Sequence, residues 1–121
     1  MLQVTLQPNY GIAILAPDGA LTEEDFLAAK AIIDPYIAET GGLKGVMIYT
    51  QDFPGWESFN ALLTHLSFVK EHHKYIRRVA LVTDSVMGNL VTPLLTHFVS
   101  AEIQIFPYDD AESAKAWLLE Q

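Results

Sequence analysis

Residues 44–56 of the chain read KGVMIYTQDFPGW, an apolar run that gives way to a turn carrying two aromatic side chains. A continuous apolar run of this kind is typical of a central strand that is covered on both faces. A second such run, RRVALVT, occupies residues 77–83. Buried strands that alternate with helical patterns predict a mainly parallel sheet with helices packed on it.

The residues before the first buried run predict a hairpin followed by a helix. QVTL (3–6) and GIAILA (11–16) flank PNYG (8–11), whose turn-forming residues favour an antiparallel hairpin. Thr22 and Asp25 then have the spacing of a capping box, and acidic residues occupy the first turn, where the helix dipole favours negative charge. The hairpin would add an antiparallel strand at the edge of the sheet.

The first helix is expected to run from about Glu23 to the glycines at positions 41–42, which end it. Pro35 lies inside this span and predicts a kink or a break. The residues with helical spacing that predict the inner face are Phe26, Ala29, Ile33 and Ile37.

Helical and strand patterns continue to alternate in the rest of the chain. Residues 57–74 predict a helix, 84–100 include another, 101–107 form a last strand, and Asp109 or Asp110 caps a final helix. The apolar set at helical spacing within 57–74 is Phe59, Leu62, Leu63, Leu66 and Val69. The pattern predicts one α/β domain over residues 1–121, with a mostly parallel sheet, an antiparallel N-terminal edge strand and about four helices.

Composition excludes several classes of function. The net charge of −8 argues against nucleic-acid binding, which requires clustered positive charge. Without cysteine, the chain has no disulfide, no thiolate metal site and no cysteine nucleophile. Half of its 121 residues are hydrophobic, which favours self-association or an apolar ligand. MLQVTLQPNYG does not resemble a secretion signal, and no apolar run is long enough to span a bilayer, so we expect a cytoplasmic protein.

Four segments carry a resemblance to a known family: FPGW (53–56), RRVALVTD (77–84), AEIQIF (101–106) and AESAKAWL (111–118). They occur in the expected order across nearly the whole chain. In this combination the chain resembles the SpoIIAA-like proteins, small bacterial domains that are related in fold to STAS domains.

The resemblance implies a small α/β sandwich that forms a homodimer. It also implies a similarity to the lipid-binding CRAL-TRIO fold, with an apolar cleft that opens and closes near membranes. In STAS anti-anti-sigma factors, the loop after the matching strand carries a phosphorylatable serine. Here Asp52–Trp56 stand at that place, and the nearest Asp-Ser pair, at positions 84–85, follows the next strand. The sequence therefore lacks the phosphoserine motif at the matching place.

Two loops are expected to meet at one edge of the sheet, beyond the carboxyl ends of the buried strands, where ligands gather in open α/β sheets. The candidate ligand-binding residues are Phe53, Trp56, Phe59, Met87, Leu90, Val91 and His97. Gly88 and Pro93 interrupt the apolar segment 85–93, which favours a lid or a membrane contact. The competing interpretation is that the aromatic residues only cap the end of the sheet.

Catalytic and metal-binding patterns are incomplete. His65 and His72 are seven residues apart, so on one helix they lie two turns apart, too far to share an ion. Asp52 and Asp84 each follow a buried strand, but turns and helix caps explain them without a metal. No serine is paired with a histidine and an acid at a recognisable spacing. We therefore expect no metal site and no cofactor.

These observations favour a non-enzymatic, homodimeric domain that binds a lipid-like or amphipathic small molecule in an apolar cleft, with peripheral membrane contact through residues 85–93. One alternative is a STAS-type regulatory module that binds a partner protein without a phosphoserine switch. A further alternative is an enzyme that uses His97 or Asp84 within the cleft. Nucleic acid is not expected as a partner.

Overall fold

The computed structural model describes residues 1–84 and 100–120, and of Phe59 and Leu62 it describes the backbone alone. Five strands form one sheet in the order of the chain. Their bounds are Leu2–Gln7 (β1), Ile12–Pro17 (β2), Leu43–Tyr49 (β3), Ile76–Val82 (β4) and Glu102–Phe106 (β5). The β1–β2 pair is antiparallel and the three other pairs are parallel. The predicted mixed sheet, with its antiparallel N-terminal edge strand, is confirmed.

Three helices pack on this sheet among the described residues. Their bounds are Glu23–Thr40 (α1), Phe59–His72 (α2) and Ala111–Leu119 (α3), and a 3₁₀ turn follows α2 at His73–Tyr75. One core cluster joins α3 to the sheet, with Ala114 and Leu118 against Ile12, Met47 and Ala80. A second cluster joins the other sheet face to α1 and α2, and the sheet is thus the middle of three layers.

The start of α1 follows from the sequence pattern. The hydroxyl of Thr22 accepts a hydrogen bond from the backbone N–H of Asp25 at 3.2 Å, and the Asp25 carboxylate accepts one from the Thr22 N–H at 2.9 Å. This is the predicted capping box. The second carboxylate oxygen of Asp25 accepts from the Leu2 N–H at 3.2 Å and so ties α1 to β1.

The end of α1 is also as predicted, whereas its interior differs in one respect. Gly41 has φ +89°, a conformation that favours glycine, and it ends the helix. Pro35 lies inside one continuous helix, so the helix is not split there, and a kink at the proline stays a prediction. Tertiary packing explains the continuity, because Ile33 is buried against the sheet next to the proline and holds that turn in place.

The predicted apolar set of α2 does not all face inward. Leu63 and Leu66 have 46% and 54% of their surface exposed. Ala61 and His72 are the buried residues of α2, and Phe68 packs on the core cluster that covers the sheet. Helical periodicity predicted the helix, but two of its leucines point to solvent and a histidine takes a core position.

Candidate functional site

An apolar cavity of about 260 Å³ lies between the sheet and the layer formed by α1 and α2. Phe26 and Ile33 of α1 and Phe68 and Val69 of α2 line the helical side. Phe26 and Ile33 are seven residues apart, two turns along one face of α1, and Phe68 and Val69 are neighbours on α2. Each helix therefore directs one apolar stripe at the sheet. Only apolar side chains and a few threonines and histidines contact the cavity among the residues that the structure describes.

The floor of the cavity is a set of β-branched and leucine side chains in register across three parallel strands. Val46 of β3 pairs with Val79 of β4, which pairs with Ile103 of β5. Two residues further along, Ile48 pairs with Leu81. Because successive residues of a strand point to opposite faces, these side chains line the cavity while their neighbours pack on α3.

The aromatic turn after β3 closes one end of this space. Phe53 and Trp56 both line the cavity, and their rings meet edge to face with centroids 5.1 Å apart. Backbone hydrogen bonds fix the turn to the segment before α1: the Leu21 N–H donates to the Gly55 carbonyl at 2.9 Å, and the Glu57 N–H donates to the Leu21 carbonyl at 2.8 Å. Gly55 has φ +81°, which places a glycine at this bend.

His65 is held between two aromatic rings at the cavity wall. Its imidazole stacks on Phe26 with centroids 4.7 Å apart. Its Nδ1 accepts a hydrogen bond from the indole N–H of Trp56 at 3.0 Å. Burial lowers the pKa of His65 to about 4, because the apolar surroundings disfavour the charged ring. The imidazole is therefore neutral at neutral pH.

His72 is the most deeply buried polar side chain among the described residues, with 4% of its surface exposed. Its Nδ1 lies 2.7 Å from the Phe68 carbonyl oxygen, and its Nε2 lies 2.5 Å from a carboxylate oxygen of Asp34. Both neighbours are hydrogen-bond acceptors, one on each side of the ring. His72 therefore connects α1 to α2 beneath the cavity.

The structure reaches only part of the predicted set of site residues. Phe53 and Trp56 lie together at the cavity, and their role in ligand binding stays a prediction. Met87, Leu90, Val91 and His97 fall outside the described residues, as does the proposed lid at 85–93. Phe59 is the first residue of α2, and its side chain also falls outside the description.

Sequence reasoning missed the contribution of α2 and of the sheet floor. His65 was interpreted only as one of several isolated histidines, yet it contacts both Trp56 and Phe26. A signal was present in the sequence, because Phe68, Val69 and His72 lie three, four and seven residues after His65, on the same helical face. Leucines on the neighbouring face of α2 also have helical spacing, so the pattern did not distinguish the cavity-facing residues from them.

Asp84, a candidate residue from the sequence, makes a hydrogen bond that joins two turns of the fold. Asp84 accepts a hydrogen bond from the backbone N–H of Tyr108 at 3.1 Å and so joins the turn after β4 to the turn after β5. Within residues 1–84 and 100–120, no three histidine or acidic side chains are grouped as metal ligands would be. None of the described helices combines the length and the apolar character required to cross a bilayer.

Comparison with known proteins agrees with this architecture. The model of a family described as SpoIIAA-like matches residues 12–119. The structure is similar to that of an uncharacterised protein of the DUF3478 family with a SpoIIAA-like fold, from Shewanella loihica PV-4. The TM-score is 0.77 with 20% sequence identity, and the match covers 98% of this chain and 92% of that chain. No curated protein matches. Since the family model spans most of the sequence, the chain belongs to the SpoIIAA-like family.

Proposed function

We propose that this domain binds an apolar or amphipathic small molecule in the cavity between the sheet and helices α1 and α2. The observation that carries the proposal is an apolar space of about 260 Å³ inside a domain of only 121 residues. The role is one of binding, since the described lining holds no pair of groups arranged as nucleophile and base. A lipid-like chain or a small aromatic molecule matches this chemistry.

The size of the cavity supports occupancy by an organic molecule. In other proteins, apolar cavities of about 150 Å³ remain dry and bind benzene. Water gains little here, because most lining atoms offer it no hydrogen bond. An apolar ligand would regain the dispersion contacts that the lining side chains otherwise lack. Ligand binding would therefore stabilise the fold as well as fill the space.

The first experiment examines the protein as purified under gentle conditions. Native mass spectrometry is expected to show a bound small molecule, and solvent extraction should release it for identification. In parallel, the protein is titrated with cumene, an isopropylbenzene that fits well within the cavity. We expect saturable binding, seen as NMR shifts at Phe26 and Phe68 and as a higher melting temperature.

A matched pair of variants locates the binding. Val79→Phe combined with Leu81→Phe fills the cavity floor from β4 and should weaken cumene binding at least fivefold. Ala80→Val lies between the two positions on the opposite face and should leave cumene affinity unchanged. The proposal fails if the purified protein carries no small molecule and cumene does not bind, or if both variants affect cumene binding equally.

Exposed leucines support a second candidate, a protein-interaction module that forms a homodimer. Leu63 and Leu66 of α2 are three residues apart and share a helix face, and Leu27 of α1 has 60% of its surface exposed. Burying such side chains between copies would stabilise a dimer. Sedimentation equilibrium of the wild type and of Leu63→Lys/Leu66→Lys tests this: a dimer that the double substitution dissociates supports it, and a monomeric wild type contradicts it.

A further inference from the structure

The geometry points to His65 as a hydrogen-bond donor inside the cavity. We infer that the ligand is a neutral, largely apolar molecule with an acceptor oxygen, such as a ketone, ester or ether, that accepts from Nε2–H of His65. This inference rests on the proposed function, since it assigns a chemical class of ligand to the same cavity.

The position of the His65 proton follows from its partner. The indole of Trp56 is a donor and never an acceptor, so Nδ1 of His65 must present its lone pair. A neutral imidazole carries one proton, and that proton must then be on Nε2. Trp56 thereby selects the tautomer of His65, and the aromatic turn defines which hydrogen-bonding group the ring offers.

The side chains of Thr50, Thr83 and His72, which also line the cavity, already face protein acceptors. The hydroxyl of Thr50 donates to the Asp52 carbonyl at 3.1 Å, and that of Thr83 donates to the Gln51 carbonyl at 3.1 Å. Both nitrogens of His72 face acceptors from Phe68 and Asp34.

His65 and His73 are the two cavity-lining histidines with one ring nitrogen that has no protein acceptor among the described residues. The bonds of His73 to Ser100 are exposed, whereas the ring of His65 is partly buried between Phe26 and Trp56. Nε2 of His65 is not a buried unpaired atom, so water can reach it in the free protein, and a ligand oxygen would take the place of that water. A ligand oxygen would satisfy Nε2–H of His65.

The cavity also selects against charged ligands. The described residues that line it include no lysine, arginine, aspartate or glutamate. A carboxylate would lose its hydration without gaining a cation, which is unfavourable in an apolar site. The neutral state of the His65 ring, which burial favours, is consistent with a neutral acceptor.

The first test reads the tautomer directly. In the full-length protein labelled with ¹⁵N, long-range correlation NMR at neutral pH should show a protonated Nε2 and an unprotonated Nδ1 for His65. In Trp56→Phe, the ring should lose this fixed state and show averaged nitrogen shifts. A protonated Nδ1 in the wild-type protein would overturn the inference whatever the ligand.

The second test uses three probes of nearly equal shape: cumene without an acceptor, acetophenone with a neutral one, and benzoate with an anionic one. Their affinities are compared in Trp56→Phe and in Trp56→Phe/His65→Phe, so that no free indole N–H can replace the histidine. Removing His65 should lower the ratio of acetophenone affinity to cumene affinity about fivefold to tenfold. The same change at His73, in the Trp56→Phe background, should leave the ratio unaltered.

The outcomes separate this inference from the proposed function. If neither cumene nor acetophenone binds the wild-type protein, the proposed function fails and this inference fails with it. If cumene binds but the affinity ratio is the same without His65, or depends on His73, the inference alone fails. Tighter binding of benzoate than of acetophenone would also overturn it. Retained cumene binding by the variants shows that they fold.

Discussion

Trp56 and His65 depend on each other although they come from different elements of the fold. The indole N–H of Trp56 has its acceptor in His65, and burial among the surrounding rings lowers the pKa of His65 and favours the neutral ring. Phe26 completes this enclosure from α1. One hydrogen bond thus links the aromatic turn to α2 and gives a partner to a polar group that would otherwise be costly at an apolar wall.

The lowered pKa of His65 makes stability depend on pH. In the unfolded chain the ring titrates near 6.5, whereas in the folded protein its pKa is about 4. Between these values the unfolded chain binds a proton that the folded protein does not. The free energy of unfolding should therefore fall by about 2–3 kcal/mol as the pH falls from 6.5 to 4, and this contribution should level off by about pH 3. Urea denaturation at a series of pH values measures it.

The control for this prediction is His65→Phe, which keeps a ring stacked on Phe26 and cannot titrate. Carboxylates also titrate near pH 4, so the comparison is the difference between wild type and variant at each pH. That difference should change by about 2–3 kcal/mol over this interval. Parallel pH profiles for the two proteins would show that His65 does not titrate as proposed.

Gly45 lies where β3 packs closely on α3, on the face of the sheet opposite the cavity. A Cβ atom at this position would lie 2.7 Å from Cδ2 and 3.0 Å from Cβ of Leu118. Gly45→Ala should lower the free energy of unfolding by about 1–3 kcal/mol, because β3 and α3 would have to separate. In a cycle with Leu118→Ala the two costs should not add, since removing the leucine provides the space. Additive costs in chemical denaturation would contradict this explanation.

At the scale of elements, local signals determined most of the fold. The capping residue Thr22 and the terminal Gly41 mark both ends of α1, and the apolar runs of β3 and β4 mark the centre of the sheet. Such signals depend on a few neighbouring residues and can be recognised in sequence. The continuity of α1 through Pro35 could not be predicted in this way, because it depends on packing against the sheet.

The capping box predicts the effect of a small change at the start of α1. Thr22→Ala removes the side-chain acceptor for the Asp25 N–H and should lower the free energy of unfolding by about 1 kcal/mol. Thr22→Ser keeps the hydroxyl and should remain within a few tenths of a kcal/mol of wild type. Equal destabilisation of the two variants in urea would show that the methyl group of Thr22, and not its hydroxyl, is responsible.

At the scale of the whole molecule, the sequence indicated an excess of apolar residues but did not show where in the structure they gather. The aromatic turn was predicted to border a cleft, and Phe53 and Trp56 do line a cavity. The floor built from Val79 and Leu81 was not predicted as part of it. Whether a buried strand packs solidly or faces a space depends on the distance between layers, and no local pattern encodes that distance.

Neighbouring residues of β4 offer a test of whether the space is present in solution. Val79 faces the cavity and Ala80 faces the packed layer under α3. Val79→Phe should cost less than about 1 kcal/mol or stabilise the protein, because the added ring occupies space that is already present. Ala80→Val adds fewer atoms but should cost about 1–3 kcal/mol, because its side has no space. If urea denaturation shows a larger loss for Val79→Phe than for Ala80→Val, the two layers meet closely at this point and the molecule has no room for a ligand.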